Sequence, residues 1–432
     1  MRAPVSAGRA TFAAFCASLV GIGLARFSYT PLLPAVIHAG WFEASSATYL
    51  SAANLVGYLV GALLGRPIAE RISAPHAMRL MMLLTAVSLL ACAWPVDFLW
   101  FFTWRLLSGI SGGALMVLAT PSVLPHVPAS RRGLASGTIF AGVGLGVAAS
   151  GTLVPLLLRQ GLGVTWLGLA GLALVLTAVA WKGWPEASFP ARGKQASARL
   201  DHSIGSADGV ASTARRMRGS KATMPMALNI VTAEYALIAI GLVPHMIFLV
   251  DYVARGLGKG IDVGSTCWVA FGLGAMAGPV LIGHATDLLG ARRAMRLGLL
   301  LQAVAVALPA MGLNEYPLLL TSSIIMGAFA PGIVPLMMGS INALLPHDPA
   351  AHQAAWGRAT TAFAVVQAAT AYAMSWVLSA SGGRYALIFA IGTAGLLVAL
   401  LSDLLLLRRL PKHSEPPKPH PRRRSIRLPQ ND

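Results

Sequence analysis

The sequence predicts an all-α integral membrane protein of twelve transmembrane helices, arranged as two six-helix halves. Three observations carry that prediction. A helix of about 20 apolar residues crosses a bilayer, and this 432-residue chain, 56% hydrophobic, contains twelve such stretches. Its Lys and Arg residues gather on alternate sides of them. One long hydrophilic segment, 182–222, divides the stretches six and six.

The spans run roughly 10–36, 48–69, 76–95, 98–122, 134–158, 162–181, 224–250, 263–284, 295–313, 317–343, 357–379 and 385–407. The first follows Arg2 and Arg9 as a secretory signal would. It is long, carries Arg26 and has no small-residue cleavage site before Pro31 and Pro34, so it is expected to stay as an anchor helix. In span two, Gly57, Gly61 and Gly65 fall on one face and read as close helix packing, while Asn54 and Tyr58, also i and i+4, fall on another. Small residues also mark span five (Gly142, Gly146, Ser150, Gly151). Pro244 interrupts span seven and Pro331-Gly332 span ten, where the backbone is expected to kink.

Charge orients the spans. Of 33 Lys and Arg, Arg26 and Arg105 sit inside helices, and Arg159, Arg255, Lys259 and Arg384 lie on one side, which leaves 27 on the other. Under the positive-inside rule that majority side is cytoplasmic, and both termini lie there. The net charge of +18 therefore reads as orientation and contact with anionic lipid, with no nucleic-acid partner. Cys16, Cys92 and Cys267 fall in or beside apolar spans without CxxC spacing, so free thiols and no metal or other cofactor are expected.

The division is an N-terminal half, 1–181, a flexible cytoplasmic linker, 182–222, with room for a short surface helix, a C-terminal half, 223–407, and a disordered basic cytoplasmic tail, 408–432. The halves repeat at an offset near 220 residues. Leu124-Pro125-His126-Val127-Pro128-Ala129 after span four is echoed by Leu345-Pro346-His347-Asp348-Pro349-Ala350 after span ten. The loop after span two (Gly65, Glu70, Arg71) has its counterpart after span eight (Gly283, Asp287, Gly290, Arg292, Arg293). Parallel duplication of a six-helix unit is a known transporter plan.

At these residues the chain resembles the major facilitator superfamily. Gly283, Asp287, Gly290, Arg292 and Arg293 fit the G-x-x-x-D-x-x-G-x-R-R signature of its cytoplasmic hairpins, and the stretches from Gly23 to Pro34 and from Gly241 to Tyr252 resemble a bacterial branch of the YbfB/YjiJ type. The resemblance implies two halves related by a pseudo-twofold axis and a cytoplasmic gate at these positions. The first copy departs from the signature, with Ala69 where the acid is expected, Glu70 and Arg71 beside it, and Pro75-His76 near the expected Gly and Arg. Span five resembles the antiporter motif with Val147 and Ser150 replacing its Pro and a Gly, so tight packing is the safer reading.

The resemblance also implies that helices one, four, seven and ten line a central cavity. Costly intramembrane polar residues fall on the first three: Arg26, Arg105, Glu234 and His245. Arg26 lies about 15 Å from the outer end of its span, beyond full snorkelling reach. Arg105, followed by Gly109 and Gly112, also resembles the superfamily's span-four R-x-x-x-G. Glu234 and His245 are eleven residues apart and share a helix face; a carboxylate and an imidazole both carry protons. For each of the four a structural role competes with function. Asn54 and Tyr58 could line the cavity, and Gln302, Gln367 and Tyr372 are weaker candidates that often serve only to join helices.

These readings converge on a monomeric secondary transporter of the bacterial inner membrane, moving a small molecule by alternating access with proton coupling. Two arginines favour an anionic or carboxylated substrate, with a drug-like metabolite as the other class considered. The chain has no P-loop and no HExxH, and its G-x-S-x-G match, Gly109 to Gly113, lies inside apolar span four with no histidine beside it in the sequence, so a pump or an enzyme is disfavoured. A receptor or scaffold that kept the fold is the alternative.

Overall fold

The computed structural model describes residues 5–128, 131–185, 210–345 and 349–406. Twelve helices among them are long and apolar enough to cross a membrane: α1 Ala7–His38, α2 Ala44–Ile72, α3 Ala74–Ala91, α4 Phe98–His126, α5 Arg132–Leu158, α6 Leu162–Ala180, α7 Met226–Gly256, α8 Gly260–Leu289, α9 Ala291–Ala310, α10 Tyr316–Leu344, α11 Ala354–Ala380 and α12 Tyr385–Leu405. Each predicted span has its helix, with ends displaced by a few residues. Among the described residues there is no strand, so the all-helical class predicted from the sequence holds. Within each half successive helices reverse direction, so the start of α1 and the end of α6 lie together, as do the start of α7 and the end of α12; this face is here the terminal face.

Two details of the backbone concern the linker and the first hairpin. The helix that leads into α7 begins at Val210, so 210–222 is helical in continuity with span seven; residues 186–209 of the expected linker and the tail from 408 lie outside the described residues, as do Ala129 and Pro346 to Asp348 of the repeated loop. In the first hairpin the position of the signature's second glycine is taken by Ser73, at φ 72° and ψ 152°. Gly290 at the second hairpin adopts nearly the same backbone, φ 78° and ψ 148°. Gly57, Gly61 and Ser73 thus recur 217 residues later as Gly274, Gly278 and Gly290.

Glycine decides how the helices approach. A Cβ built on Gly57 or Gly61 would fall 2.1 or 1.9 Å from a carbonyl oxygen of α4, and one on Gly274 or Gly278 2.2 or 2.0 Å from a carbonyl oxygen of α10. Backbones therefore touch along the α2–α4 seam and again along α8–α10, as expected where helices associate in lipid by packing small residues. On α5, Gly142 and Gly146 seat α1, whereas Gly144 and Gly151 seat α8, which joins the halves. One buried cluster fills the first half. The second fills the other half and takes in Ile22, Phe27, Ala52, Leu55, Val143 and Val147 from the first. The most enclosed helices are α7 and α1, 83% and 78% buried over their apolar windows, against 33% for α6 and 39% for α12. That ordering puts α1 and α7 at the centre. The three cysteines are free and buried.

Candidate functional site

Both central helices are broken. In α1 the regular helix stops at Ser18, a π-helical turn runs from Leu19 to Leu24, and α-helix resumes at Tyr29. Gly21 and Gly23 in this turn press against α4 and α5, the latter with a virtual Cβ 2.6 Å from Gly146 Cα. Glycine weakens the helix where close packing demands it. In α7, Pro244 opens a π-helical turn, Pro244–Phe248, because proline supplies no backbone N–H. Backbone displaced from helical pairing must find partners inside the protein.

Polar side chains supply them. The Ala25 carbonyl accepts from Arg105 Nη1 (2.8 Å) and from Ser108 Oγ (3.2 Å). The Met246 carbonyl accepts from Thr30 Oγ1 at 2.7 Å, which ties one broken helix to the other. Asn54 Nδ2 donates to the Arg105 carbonyl (3.2 Å) and to Ser108 Oγ (3.0 Å), leaving its Oδ1 without a partner.

Between the breaks lies a cavity of about 20 Å³, lined by Arg26, Thr30, Ser51, Leu55, Arg105, Val243, Met246, Ile247 and Gln367. Arg26 donates from Nη2 to Gln367 Oε1 at 2.8 Å and approaches the Met246 sulfur at 4.0 Å. The rings of Phe27 and Tyr58 lie 5.2 Å from its guanidinium carbon. The buried Arg105 guanidinium sits 4.5 Å from the Tyr29 ring, and its Nε has no partner. Two guanidinium groups therefore face one cavity with neutral companions only: an amide, a thioether, a carbonyl and aromatic faces. The described carboxylates are elsewhere. Glu43, Glu70, Asp97, Asp262, Asp287 and Glu315 are exposed, and the buried Glu234, Asp251 and Asp403 line no part of the cavity. At this size the space admits about one water, since a water needs roughly 10–15 Å³ by the same measure. The conformation is closed around Arg26.

Of the residues singled out from sequence, Arg26, Arg105, Asn54 and Tyr58 come together here. Glu234 and His245 do not. They share a face of α7, as their spacing predicts, but that face turns into the second half and away from Val243 and Ile247. His245 Nε2 lies 2.8 Å from Ser322 Oγ, which itself donates to the Ala305 carbonyl (2.6 Å). Because the serine proton is committed there, Nε2–H donates, and the Nδ1 lone pair stays buried without a partner. Phe389 closes the ring edge-on. Buried Glu234 lies where Asp403, Arg292 and Arg296 act on its charge, and its Oε1 has no hydrogen bond. Arg296 and Asp403 form an ion pair beside it.

At the expected gate Gly290 makes the turn, and Asp287, Arg292 and Arg293 are exposed on the terminal face with Gly283 one turn before Asp287. Glu70 and Arg71 are exposed on the same face.

Several site residues escaped the sequence. Thr30 is i+4 from Arg26, and Ser51 is i−3 from Asn54, so helical spacing from the named polar residues finds both. Gln367, a weaker candidate from the sequence, carries the direct hydrogen bond to Arg26. Outside the cavity, Asp251 and Arg255 form an i, i+4 pair (2.5 and 2.8 Å) that Tyr385 joins at 2.5 Å.

Residues 18–404 match the family described as uncharacterised MFS-type transporter YbfB. The chain is 30% identical over 152 residues to the 4-hydroxybenzoate transporter PcaK of Acinetobacter baylyi, covering 34% of this chain and 33% of that one. It is 27% identical over 116 residues to the inner membrane metabolite transport protein YdjE of Escherichia coli, covering 27% and 26%. These matches span about a third or less of the curated relatives' length. Among solved structures, a D-xylose-proton symporter superposes with a TM-score of 0.69 over 92% of this chain and 96% of that chain at 17% identity. That likeness concerns the fold.

Proposed function

This chain belongs to the YbfB-type family of major facilitator superfamily transporters, and on that premise we propose that it carries a small organic anion across the bacterial inner membrane by alternating access. The acidic group of the substrate sits between Arg26 and Arg105. One observation carries the proposal: two guanidinium groups share a closed central cavity that no described carboxylate lines. An ion held away from water costs several kcal/mol unless it is paired, and a guanidinium is matched best by the two oxygens of a carboxylate. Gln367, Thr30 and Ser51 add neutral hydrogen-bonding groups for the rest of the molecule. A partial relative named for transport of an aromatic carboxylate supports the same class.

The closed cavity is one state of the cycle, and it must enlarge on one side to admit a metabolite. The breaks in α1 and α7 supply the pliable backbone, and the Lys and Arg bias assigns the terminal face to the cytoplasm. A ligand panel tests the substrate class. Carboxylates, 4-hydroxybenzoate among them, are compared with their matched amides and with neutral sugars as stabilisers of the purified protein against heat. At least one carboxylate is expected to raise the unfolding temperature while its amide does not. Equal response to acid and amide, or response to sugars alone, overturns the anion reading.

Proton coupling rests on a different observation. Glu234 is buried, one of its oxygens lacks a hydrogen bond, and Asp403 stands close enough to oppose a second negative charge. On this reading Glu234→Gln keeps substrate binding and downhill exchange but loses accumulation driven by a proton gradient. Gradient-driven transport at the parental rate excludes Glu234 from coupling.

A further inference from the structure

We infer that the outer surface of the first half holds a binding site for an anionic phospholipid, in a groove between α3 and α6 at the terminal face. The groove has a volume of about 660 Å³. Leu83 of α3 and Leu174, Ala178 and Val179 of α6 make its wall, and Arg9 and Lys182 stand at its mouth. The two cations come from chain segments that the sequence keeps far apart: Arg9 from the first turn of α1, and Lys182 just past the end of α6. Gly183 allows that meeting, since a Cβ there would lie 2.9 Å from the Arg9 carbonyl and 2.6 Å from Ala13 Cβ.

A third cation fixes the mouth. Arg79 donates from Nε to the Trp181 carbonyl at 3.0 Å, and its guanidinium carbon lies 5.2 Å from the Trp181 ring centre. It holds an interfacial tryptophan in place where such rings settle at headgroup depth. Arg9 and Lys182 remain exposed, and neither belongs to an ion pair among the described residues.

The chemistry of the occupant follows from the two ends of the groove. Leu174 and Val179 are 44% and 58% exposed on a surface that meets hydrocarbon, so the wall suits an acyl chain. The mouth, at the boundary, suits a negative headgroup. A free anion would use only the mouth and a neutral lipid only the wall; an anionic phospholipid uses both. Basic pockets between helices on the side rich in anionic lipid take such headgroups. This inference is independent of what the central cavity carries.

The test is titration of short-chain phosphatidylglycerol, phosphatidylcholine of the same chains, and inorganic phosphate into the full chain in neutral detergent, read by native mass spectrometry. Phosphatidylglycerol is expected to bind at least tenfold more tightly than phosphatidylcholine. Arg9→Ala with Lys182→Ala should weaken it about 30-fold, at about fivefold per cation near a membrane surface. Val179→Trp, which fills the groove without changing charge, should also weaken it, and elution as a monodisperse peak certifies that each variant is folded. Equal affinity for the two lipids, unchanged binding in the double variant, or phosphate competing as well as phosphatidylglycerol overturns the site.

Discussion

Replacing Gly61 with alanine puts a methyl group where the α2–α4 seam has no room. The new Cβ would lie 1.9 Å from the Ile110 carbonyl oxygen, whereas ordinary contact begins at 3.4 Å, so the helices must part by the difference, about 1.5 Å. They have no slack along that line, because Gly57, Gly109 and Gly113 are equally closed against backbone oxygens at 2.1, 2.1 and 2.0 Å. Overpacking of this kind costs about 1–3 kcal/mol. Parting also stretches both Asn54 bonds across the seam beyond hydrogen-bonding range, at about 1 kcal/mol each. The expected loss is about 3–5 kcal/mol. Gly171 on α6 is the control: a Cβ there meets nothing within 4 Å, so Gly171→Ala should gain about 0.5–1 kcal/mol from helix propensity. Thermal unfolding in detergent, followed by circular dichroism, should rank Gly171→Ala at or above the parent and Gly61→Ala well below. The opposite order, or two indistinguishable variants, refutes the seam as the source of the helix approach.

Three further outcomes are expected. Ser73 occupies a backbone region that is nearly reserved for glycine and costs about 1–3 kcal/mol; Ser73→Gly should stabilise by about 0.5–2 kcal/mol after the entropy of an added glycine, read as a raised unfolding temperature. Asp251→Asn should destabilise by about 3 kcal/mol, near the low end for a broken buried pair because Arg255 keeps part of its side chain in water. Arg255→Leu should cost more in the same denaturation assay, since it strands a fully buried carboxylate. Cysteine introduced at Glu70 should react with an impermeant maleimide only from the cytoplasm and at Glu315 only from outside, against a background of three buried native thiols.

Most of the fold was legible because its signals are one-dimensional. Apolar length and basic bias locate twelve spans without any knowledge of packing, and the glycine spacing in span two foretells one backbone seam; its counterpart at Gly274 and Gly278 emerged only with the structure. The site was legible in part. Arg26 and Arg105 announce themselves, since an arginine deep in a span is costly wherever it points. Direction is what the sequence withholds. Glu234 and His245 sit on a central helix, yet the face they share turns to Asp403, Arg296 and Ser322, and periodicity gives relative phase on α7 without saying which phase meets the cavity. Gln367 looked like a helix-joining amide because its partner lies 341 residues earlier, across the interface between the halves. The Gly position at the first hairpin was misplaced toward Pro75-His76 because a serine holds it, and a positive φ cannot be read from a serine.

The central claim, that a substrate carboxylate is held by the Arg26 guanidinium, is tested most directly in proteoliposomes loaded for counterflow. Uptake is measured for the carboxylate that stabilises the protein most, in the parent, in Arg26→Lys and in Arg26→Gln. A charge-assisted hydrogen bond to a buried anion is worth about 1.5–3 kcal/mol, so Arg26→Gln should lower uptake about 10- to 150-fold while its thermal unfolding stays within a few degrees of the parent. Arg26→Lys should recover part of the loss, because the charge returns without the planar fork. Parental uptake by a well-folded Arg26→Gln protein would contradict the account.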